Sequence, residues 1–314
     1  MTTQEEAADL PARVRTMTRE ADGVLSLELE PLSGHFPAWS PGAHIDLVLA
    51  GAPVRQYSLC GDPASERLRI AVLRESDSRG GSKAIHESVR VGDEVTVRGP
   101  RNHFALTDAT DYIFIAGGIG ITPILPMIAS VAATDVEWRL LYLGATRDRM
   151  AFTDELKAYG DRVDIVARDE SERADLAAVI AAHPTAHIYV CGPEVLMSSV
   201  SQLLPEASER LHLEYFSAPE VEYEPGGAFT VRLASTGLDL DVQPEQSVLE
   251  VIRAAGVDVL TDCEEGICGS CETKVLDGEV EHRDFVLTPQ ERAQNDCMMV
   301  CVSRANCALL VLDA

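Results

Sequence analysis

The sequence predicts three successive domains: an antiparallel β-barrel, an α/β domain built on a parallel sheet, and an α+β domain with a mixed sheet. Three observations predict them. Short apolar runs separated by Gly, Pro and Asp turns occupy residues 12 to about 104, strands alternate with helices from residue 111 to about 217, and a cysteine-rich loop follows near the C-terminus. With 314 residues, the chain is long enough to give each domain its own core.

Composition narrows the possible partners. The formal net charge of −25 argues against nucleic acid and anionic membranes. No apolar run approaches the roughly 20 residues that span a bilayer, and residues 1–6 lack the basic and apolar regions of a signal peptide. We therefore expect a cytoplasmic protein without disulfides. Residues 228–314 hold 16 Asp or Glu against 6 Lys or Arg, a surface that could steer a basic partner.

The barrel is predicted from apolar runs at positions 24–29, 44–49, 68–73 and 94–98. Between them lies Arg-Gln-Tyr-Ser-Leu at 55–59, in which alternation places Arg55 and Tyr57 on one face of a strand. Such a face, with Ser58 beside it, could pair a cation with a phosphate and lay a phenol ring against a planar ligand. A tyrosine that only packs is the alternative.

A glycine turn, Ser-Arg-Gly-Gly-Ser-Lys at 78–83, follows and leads into a short helical stretch. Such a turn presents backbone N–H groups and the positive end of a helix to an anion. This makes Gly80, Gly81 and Ser82 candidates for phosphate binding. An ordinary flexible loop is the alternative.

The α/β domain is predicted from strands at 112–116, 139–144, 163–167, 187–191 and 211–216, with helices ending near 133 and at 154–159, 174–181 and 194–204. Ligands of such sheets bind at the carboxyl ends of the strands. Two motifs lie at those ends, Gly-Gly-Ile-Gly-Ile-Thr-Pro at 117–123 and Cys-Gly-Pro at 191–193.

The first of these motifs is not the G-x-G-x-x-G fingerprint of dinucleotide-binding proteins. Its glycines would still let a pyrophosphate or nicotinamide approach the backbone closely. Thr122 and Pro123 suit the start of a helix. Cys191 is interpreted as a small buried hydrophobic residue and not as a nucleophile.

The last domain follows an acidic segment with Pro and Gly at 220–227, which is interpreted as a linker. Strands are expected at 229–233, 238–242, 272–276, 299–302 and 308–312, with helices at 247–255 and about 289–293. A mixed sheet crossed by one helix, with three cysteines in one loop, indicates a ferredoxin-like domain of the β-grasp type.

The cysteines in this domain have the spacing C-x4-C-x2-C-x29-C, formed by Cys263, Cys268, Cys271 and Cys301. This is the plant-type [2Fe–2S] pattern. Gly266 and Gly269 lie between the ligands, where a backbone must fold closely around a cluster. A structural zinc site is the alternative, but it usually requires a second closely spaced ligand pair. Two further cysteines, Cys297 and Cys307, lie near Cys301.

Together these motifs resemble the phthalate dioxygenase reductase family over nearly the whole chain. The resemblance implies a flavin-binding barrel at residues 1–106, an NAD-binding domain at 107–219, a linker at 220–228 and a [2Fe–2S] domain at 229–314. It implies FMN as the flavin, with FAD left open. The stretch around Cys301, at 299–305, is similar to the closing motif of the family and favours Cys301 over its neighbours as the fourth ligand.

The resemblance also assigns residues to each cofactor. The flavin would be held by Arg55, Tyr57 and Ser58, with Val72, Leu73 and Arg74 along its ring or ribityl chain, Gly80, Gly81 and Ser82 at its phosphate, and Thr122 near its ring. NADH would bind at Gly117, Gly118, Gly120, Cys191, Gly192 and Pro193. Phe216 resembles the aromatic residue that stacks on the flavin, although it could instead be a core residue closing the last strand.

The resemblance implies electron transfer from NADH through FMN and the [2Fe–2S] cluster to an oxygenase. The preferred partner is a Rieske non-haem iron oxygenase, either an aromatic-ring dioxygenase or a demethylase. No general acid or base is assigned. A reductase for a cytochrome P450 is one alternative, and a non-catalytic iron–sulfur electron carrier is another. The basic and acidic residues at 145–149 leave NADPH open as the donor. The resemblance further implies a monomer.

Overall fold

The computed structural model describes residues 9–75, 80–205, 208–221, 223–224 and 226–314. Residues 1–6, Ser78 and Arg79 of the glycine turn, and Glu222 and Pro225 of the predicted linker lie outside the described residues. The chain divides into two compact units, Met1–Glu214 and Tyr215–Ala314. Within the described ranges, no helix has the length and apolar character that crossing a membrane requires.

Six antiparallel strands form the first sheet: β1 Leu10–Ala21, β2 Val24–Pro31, β3 His44–Val48, β4 Arg55–Ser58, β5 Leu68–Leu73 and β6 Glu94–Arg101. Their order is β4-β3-β6-β1-β2-β5. The two edges approach each other just beyond β4, where Leu59 bridges to Ile70 and the Cys60 N–H donates to the Arg69 carbonyl oxygen at 2.8 Å. The sheet is therefore curled as a barrel. Helix α1, Gly81–Ser88, follows β5.

The second sheet of the first unit is parallel. Its strands are β7 Asp111–Gly117, β8 Glu137–Gly144, β9 Val163–Ala167, β10 His187–Cys191 and β11 Leu211–Glu214. Between them lie helices α2 Ile121–Ala132, α3 Thr153–Leu156, α4 Leu176–Ala182 and α5 Glu194–Ser201. The strand order is β11-β10-β7-β8-β9, so the direction of winding reverses between β7 and β10. In sheets of this kind the crevice at the reversal, at the carboxyl ends of the strands, binds the ligand.

Arg69, on β5, joins the two sheets of the first unit. Its guanidinium lies 2.9 Å from Glu20 of β1 and 2.7 Å from Glu155 of α3, and it also lies over the Phe152 ring, 4.8 Å from the centroid. Glu20 and Arg69 are largely buried, so these charges are shielded from water. Removing one partner of such a network leaves the others without their counter-charge.

An Arg69→Met variant is therefore expected to lose about 2–3 kcal/mol of stability in the first unit. Chemical denaturation followed by circular dichroism would measure the loss. Arg67→Met is the matched control, because Arg67 pairs with Glu28 and Glu30 at an exposed site, where an ion pair contributes less than about 1 kcal/mol. Equal losses in the two variants would contradict the assignment.

The second unit has a mixed sheet in the order β13-β12-β18-β14-β16, composed of β12 Phe229–Leu233, β13 Leu238–Val242, β14 Glu272–Asp277, β16 Cys297–Met299 and β18 Leu309–Leu312. A small two-stranded sheet is formed by β15 Val280–Glu281 and β17 Arg304–Ala305. Helices α6 Val248–Ala254 and α7 Pro289–Gln294 both begin with a capping box, from Ser247 to Glu250 and from Thr288 to Glu291. The core contains Val231, Ile252, Met298 and Leu310.

The chain between β11 and β12 is attached to the second unit. Tyr215 packs its ring against Phe285, with centroids 5.4 Å apart. Further on, the Arg283 guanidinium lies 4.8 Å from the centroid of the Tyr223 ring and donates to the Glu224 carbonyl oxygen. Part of the predicted linker therefore packs on the second unit. The boundaries of the three predicted domains remain a proposal.

Two predicted strands differ from the structure. The strand expected at 211–216 ends at Glu214, because Tyr215 turns to Phe285. The strand expected at 299–302 is wrong: β16 ends at Met299 and residues 300–302 form a turn. That turn carries Cys301.

Candidate functional site

The four candidate cluster ligands form two pairs in the second unit. Cys263 hydrogen-bonds Cys268, and the Sγ atoms of Cys271 and Cys301 are 3.2 Å apart. The hydrogen bond from Cys263 lowers the pKa of Cys268 and so favours its thiolate form. In the described part of the chain, no three His, Cys, Asp or Glu side chains gather as a single-ion site. Two thiolate pairs fit a cluster of two irons, each iron taking one pair.

Backbone donors and a tight loop support these sulfurs. The Glu265 N–H donates to Cys263 Sγ at 3.3 Å and the Ser270 N–H to Cys268 Sγ at 3.4 Å. Hydrogen bonds to the sulfurs of a cluster adjust its potential. Gly266 has φ +72°, and a Cβ there would lie 2.6 Å from Val302. The glycine predicted to permit a close fold is thus required at this position.

Neither neighbouring cysteine joins these pairs. Cys297 lies on β16 opposite Lys274. Cys307 receives a hydrogen bond from the Glu279 N–H at 3.2 Å and donates to the Leu309 carbonyl oxygen at 3.1 Å. The preference for Cys301 over both therefore has a geometric basis.

In the first unit, β4 and the start of α1 lie side by side. A Cβ on Gly81 would overlap the Arg55 side chain, so that side chain runs along the glycine backbone. Gly80, with φ +112°, is the N-cap of α1, and no acidic residue lies in the first turn of that helix. A cation next to a helix N-terminus is suited to a phosphate. Burial raises the pKa of Tyr57, which keeps its hydroxyl protonated.

The candidates that follow on β5 contribute in different ways. The Val72 side chain is buried in the barrel core, and its carbonyl oxygen lies 2.9 Å from His86 Nε2 on α1. Leu73 is partly buried. The Arg74 guanidinium pairs with Glu87 at 2.6 Å. His86, which fastens α1 to β5, has no distinctive sequence signal.

The two glycine-containing turns meet at the reversal of the parallel sheet. A Cβ on Gly120 would overlap the Cys191 carbonyl group, and a Cβ on Gly192 would lie 2.9 Å from Gly117 Cα. Gly118, with φ +55°, has open space on its Cβ side. Because these positions are glycines, bare backbone faces the crevice, and a nucleotide can approach that backbone closely.

Two residues flank these turns. Thr122 is buried in the first turn of α2, and its hydroxyl donates to the Ile119 carbonyl oxygen at 2.9 Å instead of capping the helix. Pro193 is the N-cap of α5. Both therefore fix the shape of the turns that carry them.

Glu214, at the end of β11, connects the two halves of the site and was not predicted. Its Oε2 atom lies 3.4 Å from the Ser58 hydroxyl and 3.9 Å from Cys191 Sγ. Burial of the carboxyl end raises the pKa of Glu214 to about 8. An acid beside the apolar residues of the closing strand was the available sequence signal, but its partners lie 156 and 23 residues away.

This raised pKa predicts a pH-dependent stability. In the unfolded chain the pKa of Glu214 is about 4.5, so the folded state binds the proton more tightly than the unfolded state does. Proton binding therefore stabilises the fold fully below about pH 4.5, and this contribution is lost as the pH rises through about 8. Burial lowers the pKa of the neighbouring His212 to about 4, which adds stability as the pH rises to about 6.5. The effect of Glu214 is therefore expected at higher pH, as a loss of about 1 kcal/mol in the first unit between pH 7 and 9, since the residue keeps some exposure. Thermal unfolding at several pH values would measure this. Glu214→Gln should flatten the profile, and an unchanged profile would contradict the prediction.

Phe216 lies two residues beyond β11 and is 41% exposed. The alternative of a core residue closing the last strand is therefore wrong. Its stacking on a flavin remains a prediction, because Phe216 belongs to the second unit.

Comparisons with known proteins agree with this geometry. The family model described as "2Fe-2S iron-sulfur cluster binding domain" matches residues 231–306, and "Oxidoreductase NAD-binding domain" matches residues 114–202. The chain is 42% identical over 311 residues to a vanillate O-demethylase oxidoreductase of Pseudomonas sp., which covers 96% of this chain and 98% of that protein.

Two solved structures are also similar. The structure of phthalate dioxygenase reductase is 36% identical, with a TM-score of 0.70 and full coverage of both chains. An intact type IV self-sufficient cytochrome P450 monooxygenase is 44% identical, with a TM-score of 0.92. That match covers 98% of this chain and 41% of the other, so this chain spans about two fifths of the P450 protein.

The fold and the two cofactor-binding domains define an NAD(P)H-dependent oxidoreductase with an iron–sulfur domain. The chain belongs to the phthalate dioxygenase reductase family, whose cofactors are FMN, NADH and a [2Fe–2S] cluster. The predicted family, fold class and type of enzyme are thereby confirmed.

Proposed function

We propose that this protein takes electrons from NADH and passes them through FMN and a [2Fe–2S] cluster to a partner oxygenase. The observation that carries the proposal is the position of Glu214. It contacts Ser58 of the flavin-binding candidates and Cys191 of the nucleotide-binding candidates. The two sets of residues therefore adjoin, as direct transfer between two bound ligands requires.

In this proposal each group of residues has its own task. Arg55 and the N-terminus of α1, including Gly80, Gly81 and Ser82, hold the flavin phosphate. The residues that shape the nicotinamide crevice are Gly117, Gly118, Gly120, Cys191, Gly192 and Pro193. The residues that line the flavin are Tyr57, Ser58, Val72, Leu73, Arg74, Thr122 and Phe216. The cluster ligands are Cys263, Cys268, Cys271 and Cys301.

The flavin is required because nicotinamide releases electrons in pairs, whereas the cluster accepts one at a time. Bound FMN would supply the conversion of a hydride into single electrons. The chain itself positions the cofactors and excludes water from them. The turns at 117–120 and 191–193 pack backbone against backbone beside the nicotinamide crevice. The cysteine loop buries the cluster ligands Cys268 and Cys271.

The partner is proposed to be a Rieske-type oxygenase. Relatives aligned over nearly the whole chain are named as reductases of vanillate demethylation and of phthalate dioxygenation. A monomer in the cytoplasm completes the proposal. The 44% identity to a self-sufficient P450 supports a second candidate, a reductase that serves a P450.

Anaerobic purification followed by cofactor analysis tests this function. We expect one FMN, two irons and two sulfides per chain, with the visible absorbance bleached by NADH. Iron without flavin, and no bleaching by NADH, would instead indicate an electron carrier. Reduction of a purified Rieske oxygenase compared with a purified P450 would then distinguish the two candidate partners.

A further inference from the structure

A cation lies where the parallel sheet would meet the adenosine end of a dinucleotide. Strand β8 pairs with β7 so that Leu143 lies opposite Gly117 of the glycine turn. Beyond β8, Arg147–Arg149 forms a single 3-10 turn. In dinucleotide-binding folds the residues at the end of the second strand distinguish a ribose 2′-hydroxyl from a 2′-phosphate: an acid binds the hydroxyl, and an arginine accommodates the phosphate.

An acid just beyond the neighbouring strand β9 is paired with Arg147. Its Nε and Nη2 atoms lie 3.2 and 2.9 Å from Glu170 Oε2. Glu170 follows β9, where its N–H donates to the Ala167 carbonyl oxygen at 3.1 Å, and Ala167 is paired with Gly144 of β8. Arg147 and Glu170 therefore lie close together because each follows the end of one of two paired strands.

We propose that Glu170 makes this site selective for a dinucleotide without a 2′-phosphate. The inference rests on the proposed function and names the residue that selects its donor. A phosphate monoester carries about −1.5 to −2 charges at pH 7. To bind Arg147 it would have to displace Glu170, and it would be repelled by the carboxylate that remained nearby. A neutral 2′-hydroxyl meets neither obstacle.

The other charges in the turn are not paired with Arg147 by any hydrogen bond or ion pair among the described residues. Asp148 accepts a hydrogen bond from the Thr146 hydroxyl. Arg149 is exposed and, as a second cation, would favour a phosphate. The selectivity is therefore assigned to Glu170, which bonds Arg147.

Ligand binding to the intact, flavin- and cluster-containing protein tests the proposal. Isothermal titration would compare adenosine 2′,5′-bisphosphate with 5′-AMP. In Glu170→Gln the bisphosphate is expected to bind about tenfold more tightly, with 5′-AMP changed by less than about twofold. The NADPH to NADH ratio of kcat/KM should rise by a similar factor. Glu172→Gln, an exposed acid two residues away, provides the matched control for net charge.

The double variant Arg147→Gln with Glu170→Gln identifies the cation involved, and it should lose the gain. The proposal is overturned if Glu172→Gln produces an equal gain, if the double variant keeps it, or if Glu170→Gln binds the bisphosphate no better than the unchanged protein. Titration requires no turnover. Failure to oxidise NADH would therefore count against the proposed function, while the binding result would still decide the role of Glu170.

Discussion

A Cys301→Ala variant is expected to lose its iron–sulfur cluster and to reduce one-electron protein acceptors at least about a hundredfold more slowly. Cys301 Sγ lies 3.2 Å from Cys271 Sγ, so its removal leaves one of the two thiolate pairs incomplete. The nucleotide-binding crevice is formed by other residues, and NADH oxidation with ferricyanide should therefore continue. Iron and sulfide content, together with cytochrome c and ferricyanide assays, would measure both effects.

Cys297→Ala and Cys307→Ala are the controls for this prediction. Both remove a thiol from the second unit, Cys297 on β16 and Cys307 between β17 and β18, and neither residue belongs to the two pairs. Each should keep two irons per chain. A cluster that survives in Cys301→Ala but is lost in Cys297→Ala or Cys307→Ala would refute the ligand assignment.

A Gly120→Ala variant is expected to reduce kcat/KM for NADH by about a hundredfold, while its cluster content stays normal. The new Cβ would overlap the Cys191 carbonyl group. The two turns must then separate, because the atoms that the new Cβ meets belong to the backbone, which cannot move aside as the end of a flexible side chain can. A shift of about 1 Å in the position of a bound reactant is sufficient for a loss of this size.

Gly34→Asn is the control in the same unit. Gly34 has φ +64° and open space around its Cβ, a conformation that asparagine tolerates. Activity with NADH should stay within about twofold of the unchanged protein. If Gly120→Ala behaved like this control, the meeting of the two turns would not matter for nucleotide binding.

The sequence was most informative where a local spacing carries the chemistry. The cysteines at 263, 268 and 271 lie on one loop, so their spacing alone describes most of the site. The glycines at 117–120 and Cys191 were placed at strand ends by periodicity. That they adjoin depends on the order of the strands, with β7 next to β10, and periodicity does not report strand order.

Other features escaped because they depend on distant parts of the chain. Strand β1 was not predicted: most of its exposed positions are polar and its buried ones include the small Ala12, which gives a weak apolar signal. Glu214 acquires its partners only when the barrel and the parallel sheet pack together. The end of β11 was also missed. Tyr215 and Phe216 continue the pattern of a strand in the sequence, and only the contact of Tyr215 with Phe285 shows that the strand ends before them.

The attachment of Tyr215 and Tyr223 has a consequence for building chimeras. Glu214 contacts Ser58 and Cys191, whereas Tyr215 packs on Phe285, whose N–H bonds the Gly266 carbonyl oxygen of the cysteine loop. The natural point for exchanging modules is thus the peptide bond after Glu214, rather than the Pro- and Gly-containing segment that composition suggests. A donor fragment beginning at residue 228 would arrive without the two aromatic side chains that cover Phe285 and Arg283.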